Sequence, residues 1–365
     1  MKRKFITILL FTIFTIFLSC EKKQQIASKI MTEGEIAQFV VGEKTQEEEI
    51  EQKEFDLFNQ NRKVHIVGES GRDAVYWLNG ILTILPKERE SIATASAIAV
   101  SGSDVYIAGT EIKYEDGIYI RTDAVYWLNG NKTVLPCEFT NPRLTAITVS
   151  GSDVYIVGRD SAEAVYWLNG VQIVLPKTAP LGRIPAALAN GIAISGSDVY
   201  IVGSDGKDAV YWLNEIKVIL PSSGKHPGAT ATGIAISGSD VYIVGRDGID
   251  AVYWKNGIRT VLSAGADSPV YHRDMAEAVT ISDSNIYITG WADGNIVYWR
   301  NGVMSKPLFF EPTNEMVTIT PKSIAVLDSD VFVVGVDGDN AVLWFNGNRI
   351  VLSYDSWANA IFVTQ

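Results

Sequence analysis

The chain repeats a Tyr-Trp-x-Asn box, and the spacing of its tryptophans limits the possible fold more than any other feature. The tryptophans of the seven copies are Trp77, Trp127, Trp167, Trp212, Trp254, Trp299 and, where Leu343 replaces tyrosine, Trp344. Consecutive copies lie 40 to 50 residues apart. Repeats of this length are typical of four-stranded propeller blades, whereas helical-hairpin repeats are about 34 residues long. The spacing therefore predicts seven blades.

Each repeat contains four apolar runs, A to D, separated by residues that favour turns. In the fourth repeat, run A covers residues 191–194, run B 199–203 and run C 209–213. Their β-branched and aromatic residues favour strands. Runs C and D are joined by Asn-Gly in most repeats, a pair that accepts the positive φ angles of a tight hairpin. The fourth repeat has Asn214-Glu215 instead, and a glutamate at positive φ costs about 1 kcal/mol.

The order of the runs also predicts how the ring closes. Runs B and C are apolar at consecutive positions, as expected when both faces of a small sheet are buried between neighbouring blades. A last run A, residues 359–363, has no run B after it. We expect an all-β, seven-bladed β-propeller with four antiparallel strands per blade, closed by the C-terminal strand completing blade 1. The alternative is that residues 55–58 provide the missing strand.

The first 54 residues differ from the rest of the chain. Residues 1–20 combine Lys2-Arg3-Lys4, an apolar stretch and Ser19-Cys20, a pattern that resembles a lipoprotein signal peptide with Cys20 as the lipidated residue. The alternative is an ordinary secretory signal. Residues 21–54 are rich in Glu, Gln and Lys and predict a flexible acidic tether. We expect residues 55–365 to form the propeller, and the protein to be exported and lipid-anchored at a bacterial cell envelope, with Glu21 favouring the outer membrane.

Charge and cysteine content exclude several function classes. The net charge of −11 argues against nucleic-acid binding, because phosphate contacts need clustered Lys and Arg. If Cys20 is lipidated, Cys137 is the one remaining cysteine, so neither a disulfide nor a cysteine metal cluster is expected. We expect a monomer that touches the membrane only through its lipid.

Residues that could bind a sugar or a metal, or take part in catalysis, have simpler structural interpretations. The repeated Tyr-Trp pairs suit packing between blades better than sugar binding, because every blade has them. Acidic residues between runs B and C are weak calcium candidates, although Asp and Gly are also ordinary turn residues; they are Asp205, Asp208, Asp247 and Asp250. His65 replaces the tyrosine or phenylalanine of other blades and is expected in the core. No catalytic constellation, resident cofactor or strong metal site is predicted.

Departures from the repeat indicate a candidate binding face. They occur in the D-to-A and B-to-C loops, which the strand order places on one side of the ring. The candidates are Trp291, Arg183, Tyr271, His272, Arg273, His226, Arg143 and Tyr114. Trp291 is expected at a hairpin tip. Loop-borne aromatic residues and arginines are frequent binding hot spots, but they could also merely cover the ring.

The AVYWLNG and SGSDVYIVG boxes resemble those of bacterial β-propeller lipoproteins over about residues 60–365. The resemblance implies a propeller fold and an exported location, and it provides no catalytic residues. The leading hypothesis is a non-enzymatic binding or scaffold propeller that engages a protein or glycan through its loops. One alternative is an exported polysaccharide hydrolase or lyase that uses Glu88, Glu90 or His272. A purely structural surface protein is the other.

Overall fold

A computed structural model describes residues 62–178, 187–224, 228–263, 274–305 and 319–365. These residues form strands β1 to β28 and contain no helix. Accordingly, no helix within the described ranges is long and apolar enough to cross a membrane. The predicted signal peptide and tether, including Cys20, lie outside the described residues.

Seven four-stranded sheets contain all the strands. Blade 1 consists of β28 (Ser356–Thr364), β1 (Lys63–Ser70), β2 (Asp73–Leu78) and β3 (Ile81–Ile84). Blade 2 consists of β4 (Ile92–Ser101), β5 (Asp104–Glu115), β6 (Ile118–Leu128) and β7 (Asn131–Val134). Blade 3 consists of β8 (Pro142–Ser150), β9 (Asp153–Asp160), β10 (Glu163–Leu168) and β11 (Val171–Val174). Blade 4 consists of β12 (Ala187–Ser195), β13 (Asp198–Asp205), β14 (Asp208–Leu213) and β15 (Ile216–Ile219).

The remaining three blades follow the same plan. Blade 5 consists of β16 (Ala229–Ser237), β17 (Asp240–Asp247), β18 (Asp250–Lys255) and β19 (Ile258–Ser263). Blade 6 consists of β20 (Met275–Ser282), β21 (Asn285–Ala292), β22 (Asn295–Arg300) and β23 (Val303–Met304). Blade 7 consists of β24 (Ile319–Leu327), β25 (Asp330–Asp337), β26 (Asn340–Phe345) and β27 (Asn348–Ser353). In each blade these are strands A, B, C and D, from the axis outwards.

Strand pairing confirms the seven-bladed propeller and its closure. All neighbouring strands within a blade are antiparallel, and each strand A contacts strand A of the next blade around the ring. The C-terminal strand β28 pairs with β1 from Lys63 opposite Thr364 to Ser70 opposite Ser356. The alternative closing segment, residues 55–58, lies outside the described residues. Because the chain's last strand completes its first blade, blade 1 has four strands like the other blades, and β1 is not left as an edge strand.

The hairpin between strands C and D has the predicted geometry. At the first of them, Asn79 and Gly80 have φ angles of 49° and 78°. The asparagine side chain also accepts a hydrogen bond from the backbone N–H of Val64, 2.8 Å away, at the start of strand B. In blade 4, Glu215 has the expected unfavourable φ of 67°. The hydroxyl of Tyr166 in blade 3 donates a 2.8 Å hydrogen bond to the Glu215 carboxylate, which offsets part of that cost.

The box tryptophans pack between blades, as predicted. All seven have 0% of their surface exposed. Trp167 of blade 3, for example, packs in one cluster with Ala97 and Leu135 of blade 2. Four of the indole N–H groups also donate to a proline carbonyl in the preceding blade, at the end of its strand D; the pairs are Trp127–Pro86, Trp167–Pro136, Trp212–Pro176 and Trp254–Pro221. The repeated tryptophan therefore stabilises each blade interface by burial and, in these four blades, by a hydrogen bond.

The glycine at the end of each Tyr-Ile-Val-Gly box lies where strand B closely approaches strand A. A Cβ atom on Gly203 would lie 1.8 Å from the carbonyl oxygen of Leu188. Six other blades have the same close approach, at Gly68, Gly109, Gly158, Gly245, Gly290 and Gly335. Strand A has a β-bulge beside each of these contacts; in blade 4 the bulge lies between Ala189 and Gly191. A side chain at the glycine position would push strand A away and remove the bulge.

Candidate functional site

The converging A strands enclose a cavity of about 840 Å³ at the centre of the ring. Most of its lining comes from the first halves of the A strands and the last residues of the B strands, and Asn141 and Thr122 add a loop and a C-strand residue. The cavity therefore lies toward the side of the D-to-A loops and B-to-C hairpins, which we call the loop face. At its mouth Asn141, Arg143 and Trp357 are exposed. We call this space the axial cavity.

A ring of bulge residues forms the polar wall of the axial cavity. Each A strand contributes the extra residue of its bulge, and all seven are polar: Asn359, Ser96, Thr145, Asn190, Thr232, Glu277 and Lys322. Four of these side chains donate hydrogen bonds to a carbonyl of the next blade, at distances of 2.6 to 3.0 Å: Asn359 to Ala95, Thr145 to Ala189, Asn190 to Ala231 and Thr232 to Ala276. The ring thus joins neighbouring blades and makes the wall hydrophilic.

Glu277 and Lys322 introduce charge into this ring at neighbouring blades. Burial raises the pKa of the Glu277 carboxyl, although the charges of Lys322 and Arg246 act in the opposite direction. The carboxyl consequently keeps its proton to a higher pH than an exposed glutamate does. In its protonated form it can donate a hydrogen bond, as the hydroxyls and amides at the equivalent positions do.

Two arginines of blade 3 line the same cavity. Arg143 of β8 and Arg159 of β9 are directly opposite each other in the strand register. Arg143 is exposed, and the Nε atom of Arg159 is buried without a hydrogen-bond partner among the described residues. Two like charges on facing residues repel each other. This rung therefore has positive charge that the described part of the chain leaves uncompensated.

In blade 1, two blades away around the ring, Glu69 and Trp357 also line the cavity and face each other in the register. The Glu69 carboxylate accepts a short hydrogen bond from the hydroxyl of Thr94. Trp357 is 48% exposed, so its ring is available to a ligand. Trp357 was not among the predicted site residues. It could have been found as the second tryptophan, with Trp291, that lies outside the repeated box.

The structure does not bring the described members of the predicted face together. Arg143 lines the axial cavity, but Tyr114 and Trp291 do not. Tyr114 lies in β5, where the predicted loop insertion instead extends a strand, and its ring lies 5.6 Å from the Arg72 guanidinium. The expectation that Trp291 is at a hairpin tip is wrong. It lies inside β21 opposite Met275, and the turn follows at residues 293–294. The other five candidates, Arg183, His226, Tyr271, His272 and Arg273, lie outside the described residues.

The calcium candidates include two buried acids that already have protein partners. Asp205 accepts a 2.6 Å hydrogen bond from the backbone N–H of Thr178 and pairs with Lys217 at 2.5 Å. Asp247 accepts from Ser223 N–H and pairs with Arg259 in the same way. Asp250 also contacts Arg259, at 3.4 Å, and Asp208 is exposed. No group of three or more His, Cys, Asp or Glu residues suited to a metal ion occurs in the described ranges. Asp205 and Asp247 therefore hold the D-to-A loop and strand D against strand B.

The acids named for the enzyme alternative do not converge on the axial cavity. Glu88 is exposed and its carboxylate pairs with Lys113 at 2.6 Å. Glu90 adopts a positive φ of 66°, and its carbonyl accepts a hydrogen bond from Arg72. Neither residue lines the cavity, and His272 lies outside the described residues. Glu88 and Glu90 therefore make contacts in the loop and at the surface, away from the axial cavity.

Two remaining reactive groups are His65, which is buried, and Cys137, which is half-buried. His65 is 3% exposed, which confirms its predicted place in the core. Cys137 is a free thiol, and burial raises its pKa to about 11. A thiol with that pKa is protonated at neutral pH and is a poor nucleophile.

No family model and no curated protein matches the chain. Solved structures with similar folds include apo AztD from Citrobacter koseri, with 13% identity and a TM-score of 0.48 over 83% of this chain and 98% of that one. The computationally designed Ika8 protein has 15% identity and a TM-score of 0.43 over 80% and 91% of the two chains. A chain of a nidogen/laminin complex has 13% identity and a TM-score of 0.40 over 64% and 88%. At these levels of similarity, the propeller assignment rests on the strand pairing of the chain itself.

Proposed function

We propose that the protein is a non-enzymatic binding module that takes a glycan into its axial cavity from the loop face. The observation that carries this proposal is the polar wall of the cavity, to which every blade contributes one polar bulge residue around a common centre. These seven residues are of five types: Asn, Ser, Thr, Glu and Lys. On the opposite face, by contrast, most blades repeat the same Ser-Gly-Ser-Asp and Asn-Gly turns. A repeat scaffold conserves what its fold needs, so variation concentrated at one end marks a surface open to function.

The chemistry of the lining suits a saccharide. Hydroxyl and amide side chains, which can both donate and accept, match sugar hydroxyls; they include Thr94, Ser96, Thr110, Thr122 and Asn141. Trp357 adds an exposed aromatic ring at the mouth, a common platform for an amphipathic ligand. The volume of about 840 Å³ is within the range of small-ligand pockets, which run from about 300 to 1,000 Å³.

The location belongs to the same proposal. Lipidation at Cys20 and a tether over residues 21–54 would hold the propeller at the cell envelope, with the outer membrane as the favoured site. The protein would act there as a monomer, with its glycan as partner and the lipid as its membrane contact. The net charge of −11 disfavours nucleic acid as a ligand.

A binding experiment with matched tryptophan and tyrosine variants tests the proposal. The full chain, purified in detergent, is applied to a glycan array, and the best binders are titrated by calorimetry. We expect saturable binding that falls about fivefold or more in Trp357→Ala, because truncating an aromatic anchor of a binding site costs more than about 1 kcal/mol. The control is Tyr354→Ala, which removes an aromatic ring that is 73% exposed and lies outside the cavity.

Three results would contradict this function. Binding that is unchanged in Trp357→Ala would mean that the ligand does not enter through the mouth. Absence of saturable binding to any glycan would favour the purely structural alternative. New reducing ends or unsaturated products on incubation with a bound polysaccharide would favour the hydrolase or lyase.

A further inference from the structure

The rung of Arg143 and Arg159 differs from the same rung in every other blade. The equivalent facing pairs are Trp357–Glu69, Thr94–Thr110, Leu188–Ser204, Thr230–Arg246, Met275–Trp291 and Thr320–Val336. Blade 3 is the one described blade with two cations at this position. Since six blades fold with other residues here, the propeller itself does not require the arginine pair.

Several other cations of the loop face have carboxylate partners within the protein. Lys132 pairs with Glu111 at 2.6 Å, and Lys217 with Asp205 at 2.5 Å. Among the described residues, no such ion pair involves Arg143 or Arg159. The guanidinium of Arg159, with its buried and unpartnered Nε–H, therefore has donor capacity that an anion in the cavity can use.

The shape and charge of the site favour a carboxylate. Facing residues on neighbouring strands have Cβ atoms about 5 Å apart, so the two guanidinium groups can donate to one planar anion from adjacent positions. Glu69 lines the same cavity and would repel a dianionic phosphate more strongly than a singly charged carboxylate. The surrounding hydroxyls and amides suit the rest of a sugar ring.

We propose that Arg143 and Arg159 bind the carboxylate of an acidic sugar residue, of the uronic acid type, in the axial cavity. This assignment rests on the proposed function, because it names the chemical class of the glycan that the cavity takes. It also names residues that a neutral glycan would not need.

The test compares acidic oligosaccharides with their neutral forms. Oligomers containing glucuronate or galacturonate, and the same oligomers as methyl esters, are titrated into the full chain by calorimetry. We expect the acids to bind at least tenfold more tightly than the esters, because a charged hydrogen-bonded pair is lost on esterification. Arg143→Gln and Arg159→Gln should each weaken acid binding about tenfold or more, leave ester binding nearly unchanged, and so abolish the preference when combined.

Two controls separate a binding role from a structural one. Arg89→Gln removes an exposed arginine from the loop face outside the cavity and should leave binding unchanged. The two cavity variants should unfold at the same temperature as the wild type or slightly above it, because each substitution relieves repulsion between facing cations. A marked fall in the unfolding temperature of both would assign the pair a structural role and overturn the proposal.

The remaining outcomes distinguish this inference from the function on which it rests. Equal binding of acids and esters, or acid binding that survives in the double variant, would overturn the carboxylate assignment while leaving a glycan-binding cavity. Competition by millimolar inorganic phosphate as effective as that by the uronate would show a general anion site and would also overturn it. If neither acids nor esters bind, the carboxylate assignment fails, and the function on which it rests fails with it if the glycan array also shows no saturable binding.

Discussion

Replacing His65 with tyrosine should remove a defined part of the pH dependence of stability. His65 lies in β1, next to the closing strand, and its Nδ1 is 2.7 Å from the Tyr76 hydroxyl. Burial, followed by the positive charge of Lys63, lowers the pKa of His65 from 6.5 to about 4. The folded protein therefore keeps this imidazole neutral at pH values where the unfolded chain protonates it.

The sign and size of the effect follow from proton linkage. Between pH 6.5 and 4 the unfolded state binds a proton that the native state does not bind, so stability is lost as the pH falls through this window. Each pKa unit corresponds to 1.36 kcal/mol, which gives a limit of about 3 kcal/mol below pH 4. For a change from pH 7.5 to pH 5, the same two pKa values give a loss of about 2 kcal/mol.

The measurement is urea unfolding of the wild type and His65→Tyr at pH 7.5, 6 and 5, followed by tryptophan fluorescence. Tyrosine is a suitable replacement because blade 4 already places Tyr200 and Tyr211 in a stacked pair at these positions. It stays neutral over the whole range, and all other titrating groups are common to both proteins. The wild type should lose about 2 kcal/mol more than the variant between pH 7.5 and 5. Parallel stability curves would show that His65 titrates alike in both states and would refute the reasoning.

Two further comparisons test the blade contacts. Trp127→Phe should cost about 1 kcal/mol more free energy of unfolding than Trp77→Phe, because only the first also removes a 2.8 Å hydrogen bond to the Pro86 carbonyl. Equal losses in urea unfolding would contradict the role of that hydrogen bond. Lys217→Met should destabilise the protein by about 3 kcal/mol, because it removes the cation that pairs with the 3% exposed carboxylate of Asp205. Lys255→Met, at an exposed ion pair, should leave the unfolding temperature nearly unchanged. Similar unfolding temperatures for both lysine variants would contradict the importance of burial.

The sequence predicts the fold well because the same pattern of strands and turns recurs in all seven repeats. Strand order, antiparallel pairing and closure by residues 359–363 all follow from the position of the four runs, and each is confirmed. Even the exception at Glu215 is predicted, since its φ of 67° follows from its place in the hairpin. The compensating hydrogen bond from Tyr166 could not be predicted, because it joins residues 49 positions apart in different blades.

The polar wall of the cavity was missed because a β-bulge changes the alternation of side chains within a strand. Run A continues without a visible break through Asn190-Gly191-Ile192, yet the register shifts there and turns the asparagine toward the cavity. A signal was present: a polar residue stands two positions before the Ile or Val of every run A. Only the pairing of strands A and B reveals that this residue is the extra one.

The calcium candidates Asp205 and Asp247 were predicted to lie in loops, because the B-to-C connections were expected to be longer than the tight hairpins that the structure contains. The strands instead extend through Asp205 and Asp247, which places these carboxylates in buried positions. Here too the sequence contains a usable pattern. The cation that pairs with each acid follows it by 12 residues in both blades, at Lys217 and Arg259. A metal hypothesis becomes weaker whenever a matching cation recurs at a fixed distance, because the two charges can satisfy each other.

The same comparison of charges gives Arg143 and Arg159 their significance. In a chain with a net charge of −11, the buried acids of the loop face recruit lysines and arginines as partners, yet these two arginines face each other instead. Every other repeated feature of the propeller agrees across local turn, strand pairing and packing, which is what a stable fold requires. Facing like charges contradict that agreement and cost stability. A feature that the scaffold does not need and that opposes its stability is best explained by a ligand, and the position of this pair at the mouth of the axial cavity indicates where that ligand enters.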